Sequence, residues 1–231
     1  ESKIWIHLDK KSKKLIIAND GQPFSIEKTK DCDGQNRKYS DFESLCSINT
    51  SSKSQNESIG NKGVGFKSCW EYTDKVTICS IYNEVKWGFN LYSQLNIKKL
   101  KEFKGISEDV IEWLKKNEYA EVIAKHNKLP SFYFPERITD VEKYFSENLS
   151  GVATVIVFHD LSPESIDDLK EKIEEFAKHQ MFFVQQLEKL KNKDVRLELK
   201  IDSCVIKELH TQHNKEQWLI VSEDLPTCSA S

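Results

Sequence analysis

The spacing of apolar residues along the chain predicts a β-sheet of mostly short strands connected by polar turns. Residues 3–9 and 14–18 alternate apolar and polar side chains, or run apolar, on either side of a polar turn, which predicts a β-hairpin. The run at residues 152–158 is almost wholly apolar, which is typical of a central strand covered on both faces. Further strands are predicted at residues 76–81, 85–89, 195–201 and 217–221, the last two around a polar loop.

Apolar residues at intervals of three and four predict the helices. A long helix is predicted to start at Ser162-Pro163, where serine can cap the helix and proline suits its first turn. A short helix is predicted at residues 41–48, with Ser40 or Asp41 as its cap. The other helical segments are residues 66–73, 107–127 and 136–147. This order of elements predicts an α+β fold, a two-layer α/β sandwich with a mixed, mostly antiparallel sheet and helices on one face.

Polar residues dominate residues 28–40 and 49–58, so both segments are predicted to be loops. The second is rich in serine and asparagine and has almost nothing to bury, so we expect it to be mobile without a ligand. Next to a glycine-rich segment, such a loop is typical of a lid over a bound nucleotide. The alternative is an ordinary surface loop.

Composition narrows the classes of function. The 231 residues include 31% charged residues of both signs and a net charge of −3, so sequence-independent nucleic-acid binding is not indicated. No apolar run approaches the ~20 residues that cross a bilayer, and the start has no secretory signal, which predicts a cytoplasmic protein without a membrane anchor. Six cysteines without a Cys-x-x-Cys pair predict reduced, structural thiols. Cys204, His210 and His213 lack a second ligand pair, so no metal site is predicted there.

The chain starts without methionine in a segment that already has the pattern of a strand. We therefore expect it to be a fragment whose partners include other domains of a larger parent protein. Residues 1–190 are predicted to form one domain, and residues 191–231 the start of a following β-containing segment.

One segment has the features of a phosphate-binding loop: Gly60-Asn61-Lys62-Gly63-Val64-Gly65-Phe66-Lys67-Ser68. Its three glycines leave backbone N–H groups unshielded, and the helical pattern that follows places them at the positive end of a helix. Glycine also permits positive φ angles and close approach of a ligand. Upstream, an apolar strand ends in the polar turn Asn19-Asp20-Gly21, which is typical of a site that recognises a base. Together the two segments predict a nucleotide pocket.

These residues resemble the nucleotide-binding domain of the GHKL superfamily, which comprises gyrase, heat-shock chaperone, histidine kinase and mismatch-repair ATPases and has the Bergerat ATP-binding fold. The pattern Gly60-x-x-Gly63-Val64-Gly65-Phe66-x-Ser68 is similar to the phosphate loop of the ninety-kilodalton heat-shock chaperones. The similarity continues through Asp74-Lys75-Val76-Thr77 and the strand that carries Trp87. Residues 19–24 and 60–68 are more similar to the sacsin and NO VEIN branch, whose members are ATPase modules of large multidomain proteins. The resemblance covers about residues 1–190 and is most specific at residues 60–80.

The resemblance implies a role for each matched residue. Gly60, Gly63 and Gly65 would donate backbone N–H groups to phosphates, Lys67 would add a positive charge, and Ser68 would help to hold the loop. Lys53 lies in the predicted lid, where the chaperones also have a phosphate-facing lysine. Thr154 matches a threonine beneath the adenine, although a β-branched residue in the core of a strand is the alternative. The implied nucleotide-binding residues are Asn19, Asp20, Gly21, Lys53, Gly60, Lys62, Gly63, Val64, Gly65, Phe66, Lys67, Ser68 and Thr154.

The sequence departs from the family pattern in two places. The family turn is Asp-x-Gly-x-Gly, whose Asp accepts from the adenine amino group; alignment on Gly21 puts Asn19 at that position and Pro23 at the last glycine. Alignment on the carboxylate makes Asp20 the adenine ligand, and chemistry favours Asp20 because a carboxylate accepts strongly, although an Asn oxygen also accepts. The second departure is that the general-base Glu and the magnesium-binding Asn of the family would lie upstream of Glu1. No catalytic or metal-binding residue is therefore assigned, and we expect this fragment to be inactive by itself.

The resemblance implies a module that binds ATP or ADP. In the intact protein it would hydrolyse ATP with Mg²⁺ and couple lid closure to neighbouring domains, with nucleotide-dependent dimerisation as a further implied interaction. A nucleotide-insensitive scaffold that keeps the fold for protein contacts is the alternative, favoured by the altered adenine turn and the missing helix. A phosphotransfer kinase is a third reading, but the sequence has no recognisable phosphoacceptor-histidine helix.

Overall fold

The computed structural model describes residues 2–28, 30, 39–46, 65–104, 106–116, 120–126, 128–129, 131–145, 151–178 and 195–210. Within these ranges eight strands form one sheet, in the order β5-β4-β3-β6-β2-β1-β7-β8. Neighbouring strands are antiparallel except β1 and β7, which are parallel. The strands are β1 Ser2–Asp9, β2 Lys14–Asn19, β3 Lys75–Tyr82, β4 Val85–Tyr92, β5 Glu136–Arg137, β6 Thr154–Phe158, β7 Val195–Ile201 and β8 Cys204–His210.

Helices account for the remaining regular structure of the described ranges. The α-helices are α1 Asp41–Cys46, α2 Ile97–Lys101, α3 Glu108–Lys116, α4 Ala120–His126 and α5 Pro163–Lys178, and 3-10 helices occupy Gly65–Glu71, Ser131–Tyr133 and Glu142–Tyr144. A capping box starts α1: Ser40 Oγ accepts from Glu43 N at 3.0 Å, and Glu43 Oε2 accepts from Ser40 N at 2.8 Å. Of the two predicted caps, Ser40 is therefore the N-cap. None of the described helices is long and apolar enough to cross a membrane.

The main core lies between one face of the sheet and the helices that cover it. Alternate strand residues such as Leu8, Ile78 and Leu197 face inward, as the two-residue period of a strand requires. Helix α5 packs Ile166, Leu169, Ile173 and Ala177 against them, and side chains of α1 and of the 3-10 helix Gly65–Glu71 join the same cluster. Each fully buried aliphatic side chain contributes roughly 1.5–3 kcal/mol. This arrangement confirms the predicted α+β fold with its mixed sheet and a helical layer on one face.

Two smaller clusters complete the packing. On the second face of the sheet, Trp5, Ala18, Val155 and Val157 pack with Tyr144 and Phe145. Beside β4, helices α2 and α3 bury a separate group that includes Leu100, Phe103, Ile111, Leu114 and Leu129. The predicted strand at residues 152–158 is central in the sheet: β6 lies between β2 and β3 and has buried side chains on both faces.

Some predicted elements differ from the observed ones. The helix predicted over residues 136–147 is absent from the described residues of that range, because Glu136–Arg137 pairs with β4 and only Glu142–Tyr144 forms a helical turn. The helix predicted at residues 66–73 is a 3-10 helix. Strand β8 lies where a polar loop was expected, and it pairs with β7 after a turn in which Asp202 has a φ of 52°. The predicted strand at residues 217–221 lies outside the described residues.

Strands β7 and β8 belong to the same sheet as the other six, and Val195, Leu197, Leu199 and Ile201 lie in the main core. Residues 195–210 are therefore not separated structurally from residues 2–178. The division into a domain of residues 1–190 and a following segment of residues 191–231 stays a prediction, and residues 211–231 lie outside the described part of the chain.

Candidate functional site

Three polar side chains meet at one end of the sheet, on the face that carries the main core. Asn19 ends β2 and is paired with Thr154, the first residue of β6, which is paired in turn with Ser80 of β3. Two positions away on each strand, toward the middle of the sheet, lie Ile17, Ile156 and Ile78. All three belong to the main core cluster. Because side chains alternate between faces, Asn19, Thr154 and Ser80 lie on that same face.

The two hydroxyl groups are buried and hydrogen-bonded. Ser80 Oγ lies 3.1 Å from Thr154 Oγ1, and the backbone N–H of Phe24 donates to both, at 2.9 and 3.1 Å. Ser80 also donates to the carbonyl oxygen of Ala153 at 2.9 Å. Exposure is 0% for Ser80 and 4% for Thr154. The hydroxyl pair thus holds the turn after β2 against the ends of β3 and β6.

Asn19 and Asp20, the two candidate base ligands, have different partners. Asn19 Oδ1 accepts from the backbone N–H of Gly21 at 3.2 Å, which forms a local Asx turn. Asp20 Oδ1 accepts from Lys3 N at 2.5 Å, and Asp20 N donates to Lys3 O at 3.1 Å. Asp20 is therefore tied to β1, whereas Asn19 is the residue paired with Thr154.

The conformation of the turn does not require glycine at position 21. A Cβ atom there would meet only Asn19 Oδ1, at 3.5 Å, which is an ordinary van der Waals distance, and the φ angle of Gly21 is outside the left-handed region. The fold would therefore accept alanine at this position. A requirement for glycine would have to come from a ligand.

Helix α1 is fastened to the same turn. Ser25 N and Ser25 Oγ donate to Asp41 Oδ2 at 3.0 and 3.1 Å, and Phe42 N donates to Ser25 O at 3.0 Å. Ser25 and the cap residue Ser40 are both buried. The turn after β2 is thus held by the sheet on one side and by the start of α1 on the other.

An aromatic layer lies beneath this junction. The rings of Trp87 and Phe89 stack at 5.7 Å and 14°, and Phe24 and Phe42 pack against both. The indole Nε1 of Trp87 is buried and has no hydrogen-bond partner in the part of the chain that the structure describes. The layer is predominantly apolar and supports the turn from below.

The glycine-rich segment is described only from Gly65 onward. Gly65 starts the 3-10 helix, Phe66 packs against the core, Lys67 is partly exposed and Ser68 is exposed. The predicted phosphate-contacting residues Lys53, Gly60, Lys62, Gly63 and Val64 lie outside the described residues. The structure thus brings together Asn19, Gly21 and Thr154, with Asp20 next to them, and leaves most of the phosphate loop as a prediction.

A second polar cluster lies on the opposite face of the sheet. Asn90 Nδ2 and the Tyr92 hydroxyl donate to Glu136 Oε2 at 2.7 and 2.5 Å, so Asn90 Oδ1 accepts from Thr77 Oγ1 at 2.6 Å. The single Thr77 hydroxyl proton is then used, and His159 Nε2, 2.7 Å away, must donate to Thr77. Burial, followed by the charges of nearby lysines, lowers the pKa of His159 to about 4. This network holds a neutral imidazole and belongs to the structural core.

Burial disfavours the thiolate form of three described cysteines, and the described residues contain no metal-ligand cluster. Cys46, Cys69, Cys79 and Cys204 are free, and burial raises the pKa of Cys46 to about 11 and of Cys69 and Cys79 to about 12. No group of three or more His, Cys, Asp or Glu side chains within these ranges is arranged to hold a metal ion.

Sequence reasoning missed Ser80 and the backbone N–H of Phe24. Ser80 interrupts an otherwise apolar strand and could have been noticed as a polar residue at a buried position. Its role depends on the register between β3 and β6, which no local pattern in the sequence specifies.

No protein-family model matches the chain, and no curated protein matches it. Among solved structures, it is similar to the ATPase region of Saccharomyces cerevisiae topoisomerase II, with 13% identity and a TM-score of 0.44 over 95% of this chain and 46% of that one. It is also similar to the ATPase and transducer domains of Balamuthia mandrillaris topoisomerase II, with 12% identity and a TM-score of 0.46 over 90% of this chain and 43% of that one. It is also similar to the 43K ATPase domain of Thermus thermophilus gyrase B, with 8% identity and a TM-score of 0.40 over 99% of this chain and 46% of that one.

The chain therefore spans less than half the length of these ATPase structures. At such low identities and TM-scores, the similarity assigns neither a family nor an activity to the chain.

Proposed function

We propose that this chain is a nucleotide-binding module of the GHKL type, which binds ATP or ADP at the end of the sheet formed by β2, β3 and β6. The observation that carries the proposal is the pairing of Asn19 with Thr154 on the helix-covered face, next to the buried Ser80. Buried polar groups that converge beside an apolar layer are typical of ligand sites. The base would lie against Asn19, Asp20, Gly21 and Thr154, with the aromatic layer below them.

The position of the 3-10 helix supports a phosphate site in the preceding segment. Gly65–Glu71 is joined to β3 by residues 72–74, and Phe66 and Trp70 pack against the core. At about 2.0 Å per residue the helix spans roughly 14 Å. The distance along β3 from Lys75 to Ser80 is roughly 17 Å. A helix of this length could carry Gly65 to the end of the sheet that holds Ser80 and Asn19, where we propose that Gly60, Gly63 and Lys67 contact phosphates.

The described residues do not fit a Mg²⁺ site, because they contain no suitable cluster of ligands. Any Mg²⁺ would depend on the nucleotide's own phosphates and on residues outside the described part. In the intact protein, we propose that ATP hydrolysis accompanies closure of the serine-rich segment over the nucleotide. Nucleotide-dependent dimerisation, coupling to neighbouring domains and a cytoplasmic location belong to the same proposal.

One observation favours the alternative, a nucleotide-insensitive scaffold. The Ser80 and Thr154 hydroxyls bond Phe24 N, and the Asp20 carboxylate bonds Lys3 N, so these polar groups already have structural roles. A protein that kept the fold only for contacts with other proteins would retain such bonds.

Isothermal titration calorimetry with ATP and ADP distinguishes the two functions. The nucleotide-binding proposal expects saturable binding that Gly63→Val abolishes by blocking the approach of phosphate. It expects Lys67→Ala to weaken binding roughly tenfold through the loss of one charged contact. Lys98→Ala, which changes an exposed lysine of α2, is the matched control and should leave affinity unchanged. Absence of binding by the folded wild-type chain would favour the scaffold.

A further inference from the structure

The unused hydrogen-bonding capacity at the Asn19–Thr154 pair bears on which base the proposed site would accept; the inference rests on the proposed function. Most polar groups there already have partners within the fold. The Ser80 and Thr154 hydroxyls bond each other and Phe24 N, Ser80 also bonds Ala153 O, and Asp20 Oδ1 bonds Lys3 N. Asn19 is different, because only one end of its amide is engaged.

The Gly21 N–H determines the orientation of the Asn19 amide. This donor lies 3.2 Å from the Asn19 side chain and needs an acceptor. An amide oxygen accepts hydrogen bonds and an amide nitrogen does not, so Oδ1 faces Gly21 and Nδ2 points away from the turn. Nδ2 carries two N–H groups, and it donates to no other group in the described part of the chain.

We infer that Asn19 Nδ2 is the base-reading group of the site, and that it selects a nucleobase edge with a hydrogen-bond acceptor. In a purine, the group at position 6 is an acceptor carbonyl in guanine and hypoxanthine and a donor amine in adenine. An Asn19 N–H group pairs directly with the carbonyl. Adenine has no acceptor at position 6, so an Asn19 N–H group can bond adenine only at a ring nitrogen. The site therefore takes 6-oxopurine nucleotides at least as well as ATP.

Asp20 does not replace Asn19 in this role. Its Oδ1 holds Lys3 N at 2.5 Å, and its backbone N–H holds Lys3 O, which fastens the residue to β1. Asn19 is the residue directly opposite Thr154 in the sheet. The choice between an amide and a carboxylate at position 19 consequently decides whether a donor or an acceptor faces the base.

The test is calorimetric titration of the 231-residue chain with ATP, GTP and ITP. ITP has the 6-oxo group without the 2-amino group of guanine, so it isolates the feature that matters. We expect GTP and ITP to bind at least as tightly as ATP. In Asn19→Asp, one carboxylate oxygen still accepts from Gly21 N and the other replaces Nδ2, so the preference should shift toward ATP by about tenfold or more.

Asp20→Asn, which keeps an oxygen for Lys3 N, tests whether the Asp20 carboxylate reads the base instead of Asn19. The matched control is Asn96→Asp, which makes the same change at the N-cap of α2, keeps an oxygen for Lys99 N and should leave the ratio of affinities unchanged. Wild-type binding of ATP about tenfold or more tighter than GTP and ITP would overturn the inference and leave the proposed function intact. A ratio that Asn19→Asp does not change, or that Asp20→Asn changes instead, would also overturn it. If none of the three nucleotides binds, the proposed function itself is wrong. The wild-type ratio remains decisive even if thermal unfolding shows that a variant does not fold.

Discussion

Ser80 Oγ lies 3.1 Å from Thr154 Oγ1 across the antiparallel pair of β3 and β6, and both oxygens accept the same backbone N–H, that of Phe24. This relationship connects three segments that are far apart in sequence. It fixes where the turn after β2 lies, and through Ser25 and Asp41 it also fixes the start of α1. The candidate site is therefore built on the most buried polar contacts of this end of the sheet.

Replacing Ser80 by alanine should destabilise the fold. The change removes the hydroxyl that bonds Phe24 N, Thr154 and Ala153 O, all of which are near or in the core. Leaving buried polar groups short of a partner costs about 1–3 kcal/mol in the free energy of unfolding. Chemical denaturation measures this change in the free energy of unfolding, and Ser203→Ala in the exposed turn before β8 is the control. Equal stability of the two variants would contradict this account.

Gly88 and Gly21 should respond differently to alanine. A Cβ at Gly88 would lie 2.6 Å from Cys79 Sγ and 2.9 Å from Ile78 O, closer than such atoms pack. Gly88→Ala should therefore lower the free energy of unfolding by about 1–3 kcal/mol, the usual cost of overpacking. Gly21→Ala, whose Cβ has room, should change it by less than about 0.5 kcal/mol.

The neighbour of Gly88 provides a further check. Cys79→Ala in the Gly88→Ala background removes the sulfur but not the Ile78 carbonyl, so it should restore only part of the lost stability. A Gly88→Ala variant as stable as wild type would show that β3 and β4 are not in this register.

Trp87 should tolerate phenylalanine better than alanine. Its ring stacks on Phe89 at 5.7 Å, while its Nε1 is buried without a partner in the described part of the chain. Trp87→Phe keeps an aromatic ring and removes an unsatisfied donor, so the net loss of stability should be below about 1.5 kcal/mol. Trp87→Ala should cost about 3–5 kcal/mol. If phenylalanine costs as much as alanine, the indole N–H has a partner.

Much of the fold could be predicted because its strands carry their own pattern. The hairpin of β1 and β2, the central position of β6 and the start of α5 follow from local spacing and capping residues. Strand β5 and strand β8 could not be predicted, since each is defined by the neighbour it pairs with. Glu136 follows Pro135 in a segment with helical spacing, and the bonds from Asn90 and Tyr92 hold it beside β4 instead.

The candidate site was predictable only in part, for a related reason. Asn19, Asp20 and Gly21 form a recognisable polar turn after an apolar strand, but the sequence does not say which of the first two faces the base. That depends on register: Asn19 is opposite Thr154, and Asp20 bonds to Lys3. Hydrogen-bond chemistry alone favours the carboxylate, and the calorimetric comparison of Asn19 and Asp20 variants tests that preference.

His159 should make the stability of the fold depend on pH. The side chain is 8% exposed, and burial, followed by the charges of Lys75 and Lys14, lowers its pKa from 6.5 to about 4. Above pH 6.5 the imidazole is neutral in both the folded and the unfolded chain, so its contribution is fully present. As pH falls from 6.5 toward 4, only the unfolded chain gains the proton, and stability decreases. Below that range both forms are protonated, and this group adds no further slope.

The difference in pKa corresponds to a loss of about 3 kcal/mol across the range. Urea denaturation at a series of pH values between the folded and unfolded pKa values of His159 measures this loss of stability. His159→Gln is the matched variant, because glutamine cannot titrate but can still donate a hydrogen bond to Thr77. We expect the variant to be less stable than wild type at neutral pH and to lose less stability on acidification. Identical pH slopes for the two proteins would mean that burial and the nearby lysines do not oppose protonation of His159 in the folded chain.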